Sequence, residues 1–376
     1  MLTRVDIENY RGFKSYRMEG LAQVNLLVGK NNSGKTALAE AIHLVTAGGD
    51  PTVLSEAAIR RGEMTGSDDG SRLYPDLTHF FHGHQIAAGS AFSLRSDNGH
   101  PALTVRLVPI SQQQLLPFSD ADSVGRESFS DEEFETRPTY GVVVEGAVGF
   151  GAGARDLGLS ERGALIFNPR ARARQSVGVP ELQLRPTLFV PTDSIPPRRL
   201  SQMWRQAILD SIQPEVVNAM RLVADSIRDV VVLPSDTPQR SMPTSRDWYV
   251  LTTEFKKPIP LGSFGDGVRR LMSLALSLSR VGGGTLLVDE IDTGLHYSVM
   301  ADMWKLVVKK SVESNVQVFA TTHSWDCIEG LSQLCELEPD LMSKVAIHKI
   351  DQAIPHSVAF SGESIVRMVK ADMDPR

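Results

Sequence analysis

The chain carries three short clusters whose residue types suit work on a phosphate. The first, Gly29-Lys30-Asn31-Asn32-Ser33-Gly34-Lys35-Thr36, spells G-x-x-x-x-G-K-T between the apolar run Val24–Val28 and a helical pattern of Ala37, Leu38, Ala41, Ile42 and Val45. That order of strand, glycine loop and helix is what a phosphate-cradling loop requires. Glycines let successive backbone N–H groups turn inward on an anion, and the helix N-terminus adds a favourable dipole. Gly29, Asn31, Asn32, Ser33, Gly34 and Lys35 are therefore expected to hold a nucleotide. Lys35 would reach its β- and γ-phosphates, and the Thr36 hydroxyl would serve as an Mg²⁺ ligand.

The second cluster, Thr285-Leu286-Leu287-Val288-Asp289-Glu290, is an apolar strand ending in two adjacent carboxylates. In a parallel sheet such ends face the ligand crevice. Asp289 suits the Mg²⁺ shell, directly or through water, and Glu290 suits polarisation of an attacking water. In the third, Val318–Ser324, His323 follows another strand and could donate a hydrogen bond to a γ-phosphate or to the lytic water. Ser263-Phe264-Gly265-Asp266-Gly267 opens a further helix, again with free N–H groups fit for an anion. Because the Gly29–Thr36 loop already serves the phosphates on its own subunit, Ser263, Gly265, Asp266 and Gly267 are expected to reach a nucleotide on a second copy. That implies a homodimer with ATP sandwiched at the interface; a plain glycine turn capping the helix is the simpler alternative.

The positioning elements read as α/β. From Leu261 on, helical patterns at Asp266–Arg280, Val299–Ser314 and from Ser324 alternate with apolar strands Leu286–Val288 and Val316–Ala320, as in a largely parallel, covered sheet. The N-terminal Leu2, Val5 and Ile7 alternate as a strand. The middle holds short strands at Ala91–Arg95, Leu103–Val108, Tyr140–Glu145, Ala164–Phe167 and Leu188–Pro191, with helices at Pro197–Leu209 and Pro214–Arg228. Polar and glycine-rich stretches near 111–135 and 146–155 read as mobile loops. The resulting division is a head formed by 1–50 and 261–376, and an inserted, irregular α+β subdomain over 51–260. No heptad is sustained, so no long coiled coil is expected.

Bulk properties narrow the classes. With 376 residues and 41% apolar content a large core can form, and no apolar run reaches the ~18 residues of a membrane span. The amino terminus lacks a secretory pattern, and Cys327 and Cys335 read as buried reduced thiols of a cytoplasmic protein. A net charge of −6 gives no general attraction for polyanions. The basic runs Arg170–Arg174 and Arg198-Arg199 read first as solvated faces, with nucleic-acid contact as the alternative.

Taken together, these motifs in this order resemble the ABC-type ATPases of the RecF/SMC class. Ile7-Glu8-Asn9-Tyr10-Arg11-Gly12-Phe13 is similar to the amino-terminal signature of that class, and the resemblance implies that Arg11 contacts the nucleotide. It also implies that Asp292-Thr293-Gly294-Leu295-His296 communicates across the dimer. Gly265–Arg270, Asp289-Glu290-Ile291 and Ala320–Cys327 resemble stand-alone bacterial ATPases generally described as AAA family ATPase, ATP-binding protein. That group includes OLD-type proteins and ATPase subunits of anti-phage systems such as PARIS and Septu. The chain departs from relatives in three ways. Its signature is not L-S-G-G-Q, it has no coiled coil or hinge, and the residues after His323 are too few for a TOPRIM nuclease. The glutamine-loop residue is not identifiable; Gln85 is a candidate. The resemblance implies a Mg²⁺-dependent ATPase acting as a dimerisation switch. Its role would be sensor or regulator in a prokaryotic defence system with a separate effector, a nuclease or toxin. A RecF-like, ATP-dependent DNA clamp and a non-catalytic scaffold are the alternatives.

Overall fold

Apolar strands long enough to cross a core and short helices between them set the architecture. The computed structural model describes residues 1–66, 73–97, 102–110, 139–146, 157–167, 185–193, 195–233 and 248–376. Its centre is a six-stranded sheet in the order Thr187–Val190, Thr285–Val288, Gln317–Thr321, Val24–Val28, Val345–Lys349, Val358–Ser361. The first five strands are parallel and the last is antiparallel.

Alternate residues of these strands serve two different cores. Leu26, Val28, Leu286, Val288, Val318 and Ala320 face a helical layer. Leu27, Leu287, Phe319 and Phe189 point the other way, onto the helix Lys35–Thr46. With both faces covered, the strands read as unbroken apolar runs rather than alternating ones. Each fully buried aliphatic side chain contributes about 1.5–3 kcal/mol relative to exposure.

The third layer is a seven-stranded antiparallel sheet, in the order Leu165–Phe167, Leu157–Leu159, Tyr140–Glu145, Leu103–Pro109, Ala91–Ser96, Arg4–Tyr10, Phe13–Glu19. Its apolar face closes over the Lys35–Thr46 helix, which is buried from Ala37 to Thr46. The helix that leaves the phosphate loop is thus clamped between two sheets.

The fold is α/β with a mixed, largely parallel sheet, as expected, but the expected division at 50 and 260 does not follow the sheets. Ala91–Ser96 pairs with Arg4–Tyr10, and Thr187–Val190 forms the edge of the central sheet. The middle of the chain is therefore woven into both layers, because its short strands satisfy open edges of the head. A helix expected over Pro214–Arg228 ends at Arg221, and Ile227–Val232 is a strand against Trp248–Thr252. The β-branched run Val230-Val231-Val232 favours that pairing over helix. Residues 111–135 and 147–155, expected as loops, and the Arg170–Arg174 run lie outside the described residues.

Two histidines are enclosed in these cores. His43 packs beside Phe189, and burial, with Arg60 and Arg199 adding to it, lowers its pKa to about 3. Burial lowers that of His348, which lies 3.2 Å from Asn25 Oδ1, to about 4. Both folded values lie below the unfolded one of about 6.5, so the stabilising effect of their neutrality is complete above that pH. It is lost as pH falls from there toward the folded values. Between pH 7 and pH 5 each should cost about 1–2 kcal/mol of stability. His43→Phe should reduce the pH-dependent loss by about that amount in urea titrations at the two pH values, and an unchanged difference would contradict the neutral, buried state.

Candidate functional site

Three neighbouring strands end side by side at one edge of the central sheet, and each delivers one of the sequence clusters there. Their alignment continues past the strands: Asp289 N–H donates to Val190 O at 2.9 Å, Ile291 N–H to Thr321 O at 3.0 Å, and Thr322 N–H to Leu27 O at 3.2 Å.

The loop Gly29–Gly34 turns sharply, with Gly29 at φ 148°, Asn32 at φ 61° and Gly34 at φ 96°. A Cβ on Gly29 would stand 2.5 Å from Ile350 O and 2.8 Å from Ser33 Oγ, so only glycine fits there. The Lys35 ammonium donates to Gly29 O at 2.8 Å and Lys30 O at 2.9 Å, coiling within the loop that a phosphate would share. Burial holds its pKa below the ordinary lysine value, opposed by Glu290 and Asp289. The Ser33 hydroxyl is buried without a partner among the described residues, while Asn31 and Asn32 are exposed at the mouth. An orphaned hydroxyl, a curled ammonium and a cradle of glycines fit a polyphosphate.

Thr36 Oγ1 donates to Asp289 Oδ1 at 3.0 Å. The two oxygens expected to hold Mg²⁺ therefore converge, and hard oxygen donors suit that ion. Thr321 Oγ1 donates to the same Asp289 oxygen at 2.6 Å and accepts from Glu290 N–H at 2.8 Å. Glu290 adopts φ +48°, a conformation non-glycine residues enter at a cost of about 1–3 kcal/mol, and one that concentrates at functional sites. Its carboxylate lies 3.2 Å from His323 Nδ1, with both side chains partly exposed. Acid and histidine thus face the same opening, as general-base work on a water requires.

The structure brings together Lys35, Thr36, Asp289, Glu290 and His323. Arg11 is not among them. Its guanidinium is buried, 2.7 and 3.0 Å from Glu63 and 3.1 Å from Glu40, and lies over the Phe80 ring. Glu40 and Glu63 compensate the charge that burial would otherwise penalise. Ser263 and Gly265 are exposed, and a Cβ at Gly265 would meet nothing within 4 Å. Asp266 pairs with Arg269, and Gly267 packs against Gly294 O.

Three residues escaped sequence reading. Thr321 and Thr322 are ordinary strand-end threonines in sequence, yet Thr322 Oγ1 donates to Asp292 at 2.7 Å. Gln352 lies across the phosphate loop, its amide nitrogen 2.9 Å from where a Cβ on Gly34 would be and 2.7 Å from one on Gly12. No local pattern marks Gln352. Gln85 is exposed, on the segment that begins where His82 Nδ1 lies 3.0 Å from Arg11 O.

Residues 100–326, more than half the chain, match the family model described as AAA domain, putative AbiEii toxin, Type IV TA system. Residues 1–66 match one described as AAA ATPase domain. The chain is 22% identical over 342 residues to an ATP/GTP phosphatase of Helicobacter pylori, covering 89% of this chain and 88% of that protein. It is 53% identical over 47 residues to the DNA replication and repair protein RecF of a Marinomonas species, covering 12% of this chain and 13% of that protein. Among solved structures, an SMC head domain with an extended coiled coil, bound to the C-terminal domain of ScpA from Pyrococcus furiosus, aligns at TM-score 0.46 and 12% identity. That alignment covers 99% of both chains.

The geometry makes Thr321 the joint of the cluster. Thr321→Val removes its hydrogen bonds to Asp289 and Glu290 at nearly constant volume, and should lower stability by about 1–3 kcal/mol. ATP turnover should fall about 10–100-fold through misplacement of Glu290, with ATP affinity little changed; steady-state kinetics beside a nucleotide titration would check this, and native turnover would exclude the role. With its phosphate loop, acid pair and strand-end histidine at one end of the central sheet, and the family model matched over 100–326, the chain belongs to the AAA-domain family described as putative AbiEii toxin, Type IV TA system.

Proposed function

We propose that this chain is a Mg²⁺-dependent ATP hydrolase that works as a nucleotide-driven dimerisation switch. The observation that carries the reading is the hydrogen-bonded convergence of Thr36, Asp289 and Thr321, with Glu290 and His323 beside them. Lys35 and the loop N–H groups would hold the β- and γ-phosphates, while Thr36 and Asp289 would hold the metal. A bound Mg²⁺ supplies charge neutralisation on the phosphate oxygens. Glu290 accepts the proton of the attacking water, and the imidazole of His323 orients that carboxylate and its water.

The start of the Gly265–Arg280 helix supports the dimer. It is exposed and open around Gly265, a free anion-binding end fit for a nucleotide carried by a second copy. ATP binding would then favour the closed pair and hydrolysis its release.

For the biological role, the matched family's description names a toxin of a type IV toxin–antitoxin system. That supports a regulatory ATPase of a prokaryotic defence system acting with a separate nuclease or toxin. The 47-residue likeness to RecF favours a second reading, an ATP-dependent DNA clamp. That reading calls for DNA binding that requires ATP and weakens steeply with salt, despite the net charge of −6.

Two substitutions separate the steps. Lys35→Ala should weaken ATP binding by about 100-fold or more, read by titration with a fluorescent ATP analogue; unchanged affinity would end the phosphate-loop assignment. Glu290→Gln should bind ATP normally, lower turnover by about 100-fold or more, and accumulate as a dimer in light scattering; native turnover would exclude the proton-accepting role.

A further inference from the structure

The helix that begins at the exposed Ser-Gly tip carries two consecutive arginines with different surroundings. Arg269 reaches back to Asp266 at the surface. Arg270 is 2% exposed, and all its hydrogen bonds go to main-chain carbonyls beyond the strand ends. It donates to Pro191 O at 2.9 Å, Asp289 O at 2.5 Å, Glu290 O at 2.7 Å and Ile291 O at 3.4 Å. The chain turns there through the left-handed conformation of Glu290, which leaves those carbonyls without regular sheet partners. One planar guanidinium, with five donors in fixed directions, satisfies them together.

The arrangement is costly for a purely structural contact. A buried cation without a direct carboxylate partner among the described residues is penalised by desolvation. The carboxylate oxygens of Asp289 and Glu290 are left free of the guanidinium, so its charge stands behind the acids without occupying them. A second backbone contact runs in parallel. A Cβ on Gly267 would stand 2.8 Å from Gly294 O, and one on Gly294 2.7 Å from Asp266 Cβ. The helix tip and the loop after the acid pair therefore touch closely at Gly267 and Gly294.

We infer that Arg270 is a positioning residue that couples the helix tip at 263–267 to the backbone of Glu290, so that an anion seated on the tip sets where the general base stands. The inference rests on the proposed roles of Glu290 and of the tip as the partner copy's phosphate site. Arg270 lies less than two helical turns from Gly265, within one rigid element, so a shift of the tip carries the guanidinium with it. The carbonyls of 289–291 follow, because Arg270 and Thr321 together hold that turn. Lysine, with three donors on a flexible stem, keeps the charge but cannot span four carbonyls in one plane.

The test uses the full chain with Arg270→Lys and Arg270→Gln, read for ATP affinity, kcat and KM, with Glu290→Gln in parallel. The expected result is ATP affinity within about threefold of native and kcat lowered at least about thirtyfold in both, with no rescue by lysine. A folded Arg270→Lys protein with native kcat, beside an inactive Glu290→Gln protein, overturns the coupling and leaves the proposed function standing. Native turnover in Glu290→Gln overturns the assignment of the base, and the coupling with it. If neither arginine variant folds, hydrogen exchange at residues 289–293 decides instead, comparing the native chain with the surface variant Ser263→Arg, each with a non-hydrolysable ATP analogue. Greater protection in the native chain is expected, and equal protection overturns the inference.

Discussion

The site depends on one constraint, that three adjacent parallel strands end in register. Hydrogen bonds of the ladder fix Leu26, Ala320 and Val288 side by side, and the first residues beyond the strands then have little freedom. Thr321 converts that alignment into chemistry. Its hydroxyl holds Asp289 on one side and the Glu290 N–H on the other, while Thr36 reaches the same carboxylate from the phosphate loop. Without that register, a threonine, an acid and a lysine scattered over some 290 positions would form no site.

The register is stable because the strands are buried on both faces. The Lys35–Thr46 helix lies between two sheets, and Phe189, Leu287 and Phe319 fix it from the central one. A phosphate loop rooted in so enclosed a helix is pre-organised, which is where catalysis by positioning gains most. The exposed parts are the ones that the proposed function assigns to a ligand or another copy: Asn31 and Asn32 at the mouth, Ser263 and Gly265 at the far tip. Rigid cradle and open tip are joined through Arg270 and the Gly267–Gly294 contact, so the two ends of the site share one framework.

The elements that carry local chemistry were legible in advance. The phosphate loop and the acid pair are contiguous, and their glycines and apolar flanks need no distant partner to be read. The helix over Gly265–Arg280 and the strands Thr285–Val288 and Gln317–Thr321 follow from period and length. What failed was non-local. The boundary drawn at 50 and 260 missed that Ala91–Ser96 and Thr187–Val190 complete sheets begun elsewhere, because sheet edges are filled by whichever strand the topology brings. For Arg11 the resemblance implied a nucleotide contact, and its ion-pair partners Glu40 and Glu63 stand far from it in the chain.

By itself the sequence determined the chemistry that depends on neighbours in the chain. That covers a glycine cradle with its lysine, a buried strand ending in two acids, and a helix with a bare, small-residue start. The tertiary structure alone decided which carboxylates meet which hydroxyls, that Gln352 lies on the loop at Gly34, 318 residues earlier in the chain, and that Arg270 turns inward to main-chain carbonyls while Arg269 stays at the surface. The physical reason is that hydrogen bonds and burial act through space. Residue type and spacing set what a side chain can donate or accept, and only packing determines which partner stands within 3 Å of it.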